Sequence, residues 1–264
     1  MNAMILNLLV AHVVGDFYCQ CKSMCDKKII ESNRLWSPTI FIHSAIIGVL
    51  SMIVLWDSEA WKVVLAIFLS HYAIDLGKSF ISRKFNFVTI EKKEGKDFVK
   101  DGLNHRYYLW LFLADQFLHI LAIIAAVSWF ESNDWEQIKC VADFISSYHM
   151  LAKAILACAI ACKPSNILVK LILKACEVKI QNDDRGNFRS GALIGSAERC
   201  LILAFVILDK YEAIGFLLGA KSILRFGQTQ GKSENEKSEY VLAGTLVSLA
   251  IALCLGLAVI KLPF

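Results

Sequence analysis

Apolar residues collect in long runs, and the polar residues between them gather in short connections of alternating charge. Runs such as 40–56, 61–74, 107–130, 192–208 and 240–260 approach the roughly 20 residues that cross a ~30 Å hydrocarbon core. Eight spans are predicted: 2–17, 38–56, 61–82, 107–130, 140–162, 191–208, 212–226 and 240–262. The predicted fold class is all-α, a polytopic transmembrane helical bundle of about eight membrane helices. The first and seventh spans are short and read as tilted, thin or re-entrant helices shielded by their neighbours. The fifth carries Asp143, His149 and Lys153, so a position on the membrane surface is its alternative. Residues 168–179, with lysines among apolar residues at helical spacing, predict an amphipathic helix within a surface segment at about 165–190.

Composition agrees with this picture. Of the 264 residues, 56% are apolar and 20% charged, against about 45–50% and about 25% in a soluble domain. That balance excludes a disordered chain, a secreted disulfide scaffold and a plain soluble enzyme. Two domains are expected: a membrane core at 1–130 bearing the polar cluster described below, and carboxy-terminal membrane helices at 131–264. The connections at 19–37, 82–106 and 163–189 are basic, whereas Asp57/Glu59 and 131–136 are acidic. Lysine and arginine in short loops mark the cytoplasmic side, which puts both termini on the outer side of a bacterial inner membrane. The first apolar stretch lacks a basic lead and a small-residue cleavage site, and is expected to stay in the protein. Cys19, Cys21 and Cys25 lie beside lysines without a close fourth ligand, which fits a reducing compartment better than a zinc site.

The chemistry lies in the first four spans. His12 and Asp16, His71 and Asp75, and Asp115 and His119 are pairs at i,i+4, each on one helical face, and His43 stands alone on the second span. Ionisable groups in hydrocarbon cost several kcal/mol, about 2.5–3.5 by insertion scales, and therefore face a protein interior. At ~1.5 Å per residue all seven fall in one layer of the cytoplasmic leaflet, and antiparallel neighbours bring carboxylates level with carboxylates. Four imidazoles and three carboxylates suit one or two ions of Zn²⁺, Mn²⁺ or Fe²⁺. His12, Asp16, His43, His71, Asp75, Asp115 and His119 are thus the candidate ligands. Asp16, Asp75 and Asp115 are the candidate catalytic carboxylates, one of them a general base. Gln20 and Gln116 could orient ligands from outside. The same residue types also build proton or ion paths and structural helix locks.

Arg189, Arg199, Lys221 and Arg225 on the later spans, with Gln20 and Lys78 on the earlier ones, are candidate substrate contacts. Arginine forks match phosphate and carboxylate oxygens, while snorkelling and a Glu198–arginine ion pair form the plainer alternative.

The motif His12-Val-Val-Gly15-Asp16-Phe17-…-Gln20, followed by His43, His71-…-Asp75-…-Lys78 and Asp115-Gln116-…-His119, resembles the bacterial membrane-protein family catalogued as domain of unknown function 3307. The resemblance covers about the first 125 residues. Glu198-Arg199, 213–225 and 239–245 look like the extension of its longer members. It implies the fold and a membrane location but no reaction. A looser similarity to bacterial membrane-bound metal-dependent hydrolases favours hydrolysis. The expected function is a membrane-embedded metal-dependent hydrolase acting on a phosphorylated lipid or another amphiphile. A coupled transporter using the same layer, or a sensor docking a partner on the charged stretch 87–106, are the alternatives. Membrane lipid is an expected partner and nucleic acid is not; the oligomeric state is not set by the sequence.

Overall fold

The computed structural model describes the backbone at residues 2–32, 36–55, 60–93, 96–101, 105–134, 149–176, 185–226 and 235–261. The chain divides into two compact units, Met1–Ala152 and Lys153–Pro263.

The first unit opens with α1 (Asn2–Val13), which runs without a break into a π-helical turn, Val14–Tyr18. After a bend of 90° follows α2 (Lys22–Glu31), then α3 (Pro38–Leu55), α4 (Trp61–Lys84), a hairpin of β1 (Val88–Lys93) and β2 (Lys96–Asp101), and α5 (His105–Asp134). α1 packs on α3 and α5, α3 on α4, and α4 on α5, which closes a four-helix ring, while α2 lies against α3, α4 and β2. At one end of the ring Leu8, Ile47, Val63, Ile67, Val127 and Phe130 form a dry apolar core. Elsewhere the helices are inside out. α3 buries Thr39, His43, Ser44 and Ser51 and exposes Ile42, Val49 and Ile53. Such a surface belongs against lipid, where close packing and internal hydrogen bonds replace hydrophobic association between helices.

The hairpin is a departure from the loop expected at 82–106. Alternation of Val88 and Ile90 with polar residues ahead of Glu94-Gly95 is a strand-and-turn signal, and the two strands pair antiparallel from Val88 opposite Asp101 to Lys93 opposite Lys96. Asn86 adopts the left-handed conformation (φ 53°) just beyond α4, a conformation asparagine tolerates. Val88 is then buried, and β1 packs against α4.

The second unit contains most of α6 (His149–Ala175), then α7 (Arg185–Ile207), α8 (Tyr211–Phe226) and α9 (Asn235–Lys261). Ile202 and Val206 of α7 meet Ile214 of α8 and Ala252 of α9. α6 runs past the expected stop at residue 162 and absorbs the first part of the predicted surface helix. Pro164 lies inside this helix. Its missing N–H frees the Ile160 carbonyl, and Ser165 Oγ donates to that oxygen at 2.7 Å, so the helix continues.

Among the described residues, five helices are long and apolar enough to cross a membrane: Pro38–Leu55, Trp61–Lys84, His105–Phe130, Leu151–Ala175 and Val241–Lys261; the bent pair Met4–Tyr18 and Lys22–Glu31 makes up to a sixth. α8 is only 16 residues long, and α7 carries Arg185, Arg189, Glu198 and Arg199. The chain is an all-α polytopic bundle, with one small hairpin among the described residues. Asp57 and Glu59 of the expected acidic connection, the segment 135–148 with Asp143, and residues 227–234 lie outside the described residues.

Candidate metal centre

The ring assembles the polar layer from four helices. α1 and its π turn supply His12 and Asp16, α3 His43, α4 His71 and Asp75, and α5 Asp115 and His119. All seven side chains are buried or nearly so, Asp16 being the most open at 9%. The His71 and His119 ring centroids are 4.3 Å apart, those of His12 and His119 4.9 Å, and those of His43 and His71 5.0 Å. Asp16 Oδ1 lies 3.0 Å from His43 Nε2 and 3.3 Å from His71 Nε2.

The π turn explains how Asp16 arrives there. The Cys19 N–H reaches the Val14 carbonyl at 3.0 Å, an i→i+5 bond, and such turns recur at functional sites. Gly15 faces α3 within it; a Cβ there would stand 2.0 Å from Ile47 Cδ1, so glycine permits the close approach of the two helices.

Three donor groups have atoms mutually within 4.8 Å: His12–Asp16–His71, His43–His71–Asp75 and Asp75–Asp115–His119. The test of fit is what these donors already do. His12 Nε2, His71 Nε2, His119 Nε2, His43 Nδ1 and Asp115 Oδ1 are buried without a hydrogen-bond partner. Leaving such an atom unpaired costs about 1–3 kcal/mol, and an ion bound by these lone pairs would remove that cost. His12, His71 and His119 also border a small void of about 10 Å³ that they share with Leu8, Ile47, Ile67 and Ile123. The donor set therefore fits a divalent transition ion.

One residue absent from the expected set enters the layer. Lys28, on a segment read as a connecting loop, is 5% exposed and its ammonium pairs with Asp75 Oδ2. Lys78 pairs with Asp115 Oδ2 at 2.6 Å. The 90° bend before α2 turns Lys28 inward, and no local sequence signal marks that bend. Gln116 donates to Asp115 Oδ2 at 3.0 Å and to Asp16 Oδ2 at 3.5 Å. With its amide oriented to satisfy both ends, Gln20 donates to the Asp16 carbonyl (3.1 Å) and accepts from Lys28 Nζ (2.9 Å).

The other candidate contacts lie in the second unit. Arg199 is 2% exposed and bonded to Ala161, Asn166, Ser196 and Ser248. Glu198 pairs with Lys221, not with an arginine. The Arg189 and Arg225 side chains lie outside the described residues, as does that of His149.

Residues 4–151 match the family described as "Protein of unknown function (DUF3307)". No curated protein and no solved structure matches the chain.

Proposed function

From a chain that belongs to the DUF3307 family, we propose a membrane-embedded metal-dependent hydrolase whose centre is the buried His/Asp layer. The observation that carries this reading is the pair of partnerless imidazole nitrogens of His12 and His71 beside Asp16, with that of His119 against Asp75 and Asp115 in the same layer. His12, Asp16 and His71 are the ligands best placed, because Asp75 and Asp115 are already held by lysines. His43, donating to Asp16 Oδ1, would fix that carboxylate as an outer hydrogen bond fixes a ligand. Three carboxylates against Lys28 and Lys78 leave a single negative charge with neutral imidazoles, which fits one divalent ion better than two. Such an ion supplies Lewis acidity and lowers the pKa of a water molecule toward ~7.

The chain's own residues set the rest. The apolar core of Leu8, Val63, Val127 and Phe130 closes one end of the ring, while Asp16, Gln20 and Lys78 are partly exposed at the other. Access from one side favours an enzyme over a permease, which needs both. Lys78 stands where an anionic group would enter, and its ammonium can hold a phosphate as a point charge. We place the layer in the cytoplasmic leaflet of a bacterial inner membrane, from the basic connections 19–37 and 82–106, with a phosphorylated amphiphile as substrate.

Elemental analysis of detergent-purified protein tests the centre. One Zn, Mn or Fe per chain is expected, lost in Asp16→Asn and in His71→Ala while the variants still insert and stay monodisperse. Full metal content in both variants, or none after reconstitution of the parent, overturns the assignment. Release of phosphate from short-chain lipid phosphates, abolished by the same substitutions, then tests the reaction.

A further inference from the structure

The second unit holds a cavity of about 250 Å³ between α6, α7, α8 and α9 that the metal layer does not use. Its charged lining is Lys170, Glu198, Arg199 and Lys221, three cations against one carboxylate. The carboxylate is committed, because Lys221 Nζ sits on Glu198 Oε2. Among the described residues, Arg199 is held by uncharged groups. Its Nε donates to the Ala161 carbonyl (2.5 Å), Nη1 to Ser248 Oγ (2.8 Å), and Nη2 to Asn166 Oδ1 (2.5 Å) and Ser196 Oγ (3.3 Å).

Every one of those acceptors is uncharged. A guanidinium has five N–H donors, so one on Nη1 remains. Ser248 Oγ, as an acceptor from Arg199, still has its own proton to give. A buried cation with neutral partners only is costly to keep. Leu173 and Val241 supply apolar wall.

We infer that this cavity is an oxyanion site, built to take a phosphate group with a short apolar attachment. It stands independently of the metal reading. The guanidinium and the Ser248 hydroxyl supply donors, Lys170 and Lys221 supply charge, and Glu198 sets how strongly Lys221 is available. A plain packing role for Arg199 would need none of the surrounding lysines.

The test is ligand binding by the full chain in neutral maltoside micelles, with inorganic phosphate and dioctanoyl phosphatidic acid as the two probes. Arg199 is left intact so that the fold is kept. Lys221→Gln and Lys170→Gln should each weaken binding by about tenfold, and Glu198→Gln should strengthen it several-fold, as charge removed near a bound anion predicts. Binding of both probes with that order of affinities supports a site for the oxyanion itself; binding of the lipid alone supports a head-group site. Absence of saturable binding by either probe, or equal affinities in all three variants and the parent, overturns the inference.

Discussion

Replacing Lys28 with methionine isolates the least expected contact in the polar layer. The Lys28 and Asp75 side chains are 6% and 7% exposed, and Asp75 Oδ2 otherwise faces His43 and His71 Nε2 at 3.7 Å each. Removing the ammonium strands a carboxylate where water cannot replace it. Breaking one side of a buried pair costs about 3–5 kcal/mol, in line with the ~4 kcal/mol of two charges ~4 Å apart at an effective dielectric of ~20. Deleting both partners, as Lys28→Met with Asp75→Leu, removes the stranded charge and should cost far less than the sum of the single changes. The assay is a double-mutant cycle by unfolding in mixed detergent micelles without metal, with a coupling energy of about 3 kcal/mol expected. The same Lys28→Met change frees Asp75 for an ion, so metal affinity should rise as apo stability falls. A coupling below ~1 kcal/mol, the size of an exposed pair, would refute the buried arrangement of α2 over the layer.

Two further outcomes follow from local geometry. A Cβ on Gly256 of α9 would stand 2.6 Å from Val206 Cγ1 and 2.8 Å from Val206 Cβ, whereas one on Gly219 of α8 meets nothing within 4 Å. Gly256→Ala should therefore destabilise by about 1–3 kcal/mol through overpacking, while Gly219→Ala stays neutral or gains up to ~1 kcal/mol, read as shifts in thermal unfolding. Glu31, at the end of α2, accepts from Ser37 Oγ (2.7 Å), Thr39 N (3.0 Å) and Thr39 Oγ1 (2.9 Å). Burial acts to raise its pKa, and these hydrogen bonds outweigh that and hold it below the ordinary 4.5. The folded form thus prefers the carboxylate, so its contribution is present above about pH 4.5 and fades as the pH falls below it; Glu31→Gln should flatten that acid limb in melts taken from pH 3 to 7.

The His/Asp pairs were legible because i,i+4 spacing fixes a helical face and hydrocarbon forbids an unpaired charge; those two facts carry Asp75, His71, Asp115 and His119 to an interior without knowledge of the neighbours. Lys28 was not legible. Its placement depends on a 90° bend that turns a basic segment under the bundle, and the same lysine in a straight reading is only a loop charge. The run of α6 past residue 162 was not legible either: Pro164 breaks a backbone hydrogen bond inside the helix, and Ser165, beside it, repairs the break. Arg199 and Glu198 were read as neighbours on one helix, yet consecutive residues point apart, and their partners come from helices far away in sequence.

The π turn at Val14–Tyr18 makes chain length a part of the chemistry. A helical residue advances the side-chain direction by about 100°, so losing or gaining one residue between His12 and Asp16 would swing one of them out of the layer while the other stayed. Composition across that stretch can drift as long as Gly15 keeps its clearance from Ile47. Residue number cannot, because no neighbouring loop can take up the error before the next ligand. Outside His12, Gly15 and Asp16, the stretch is therefore more open to change by substitution than by insertion or deletion.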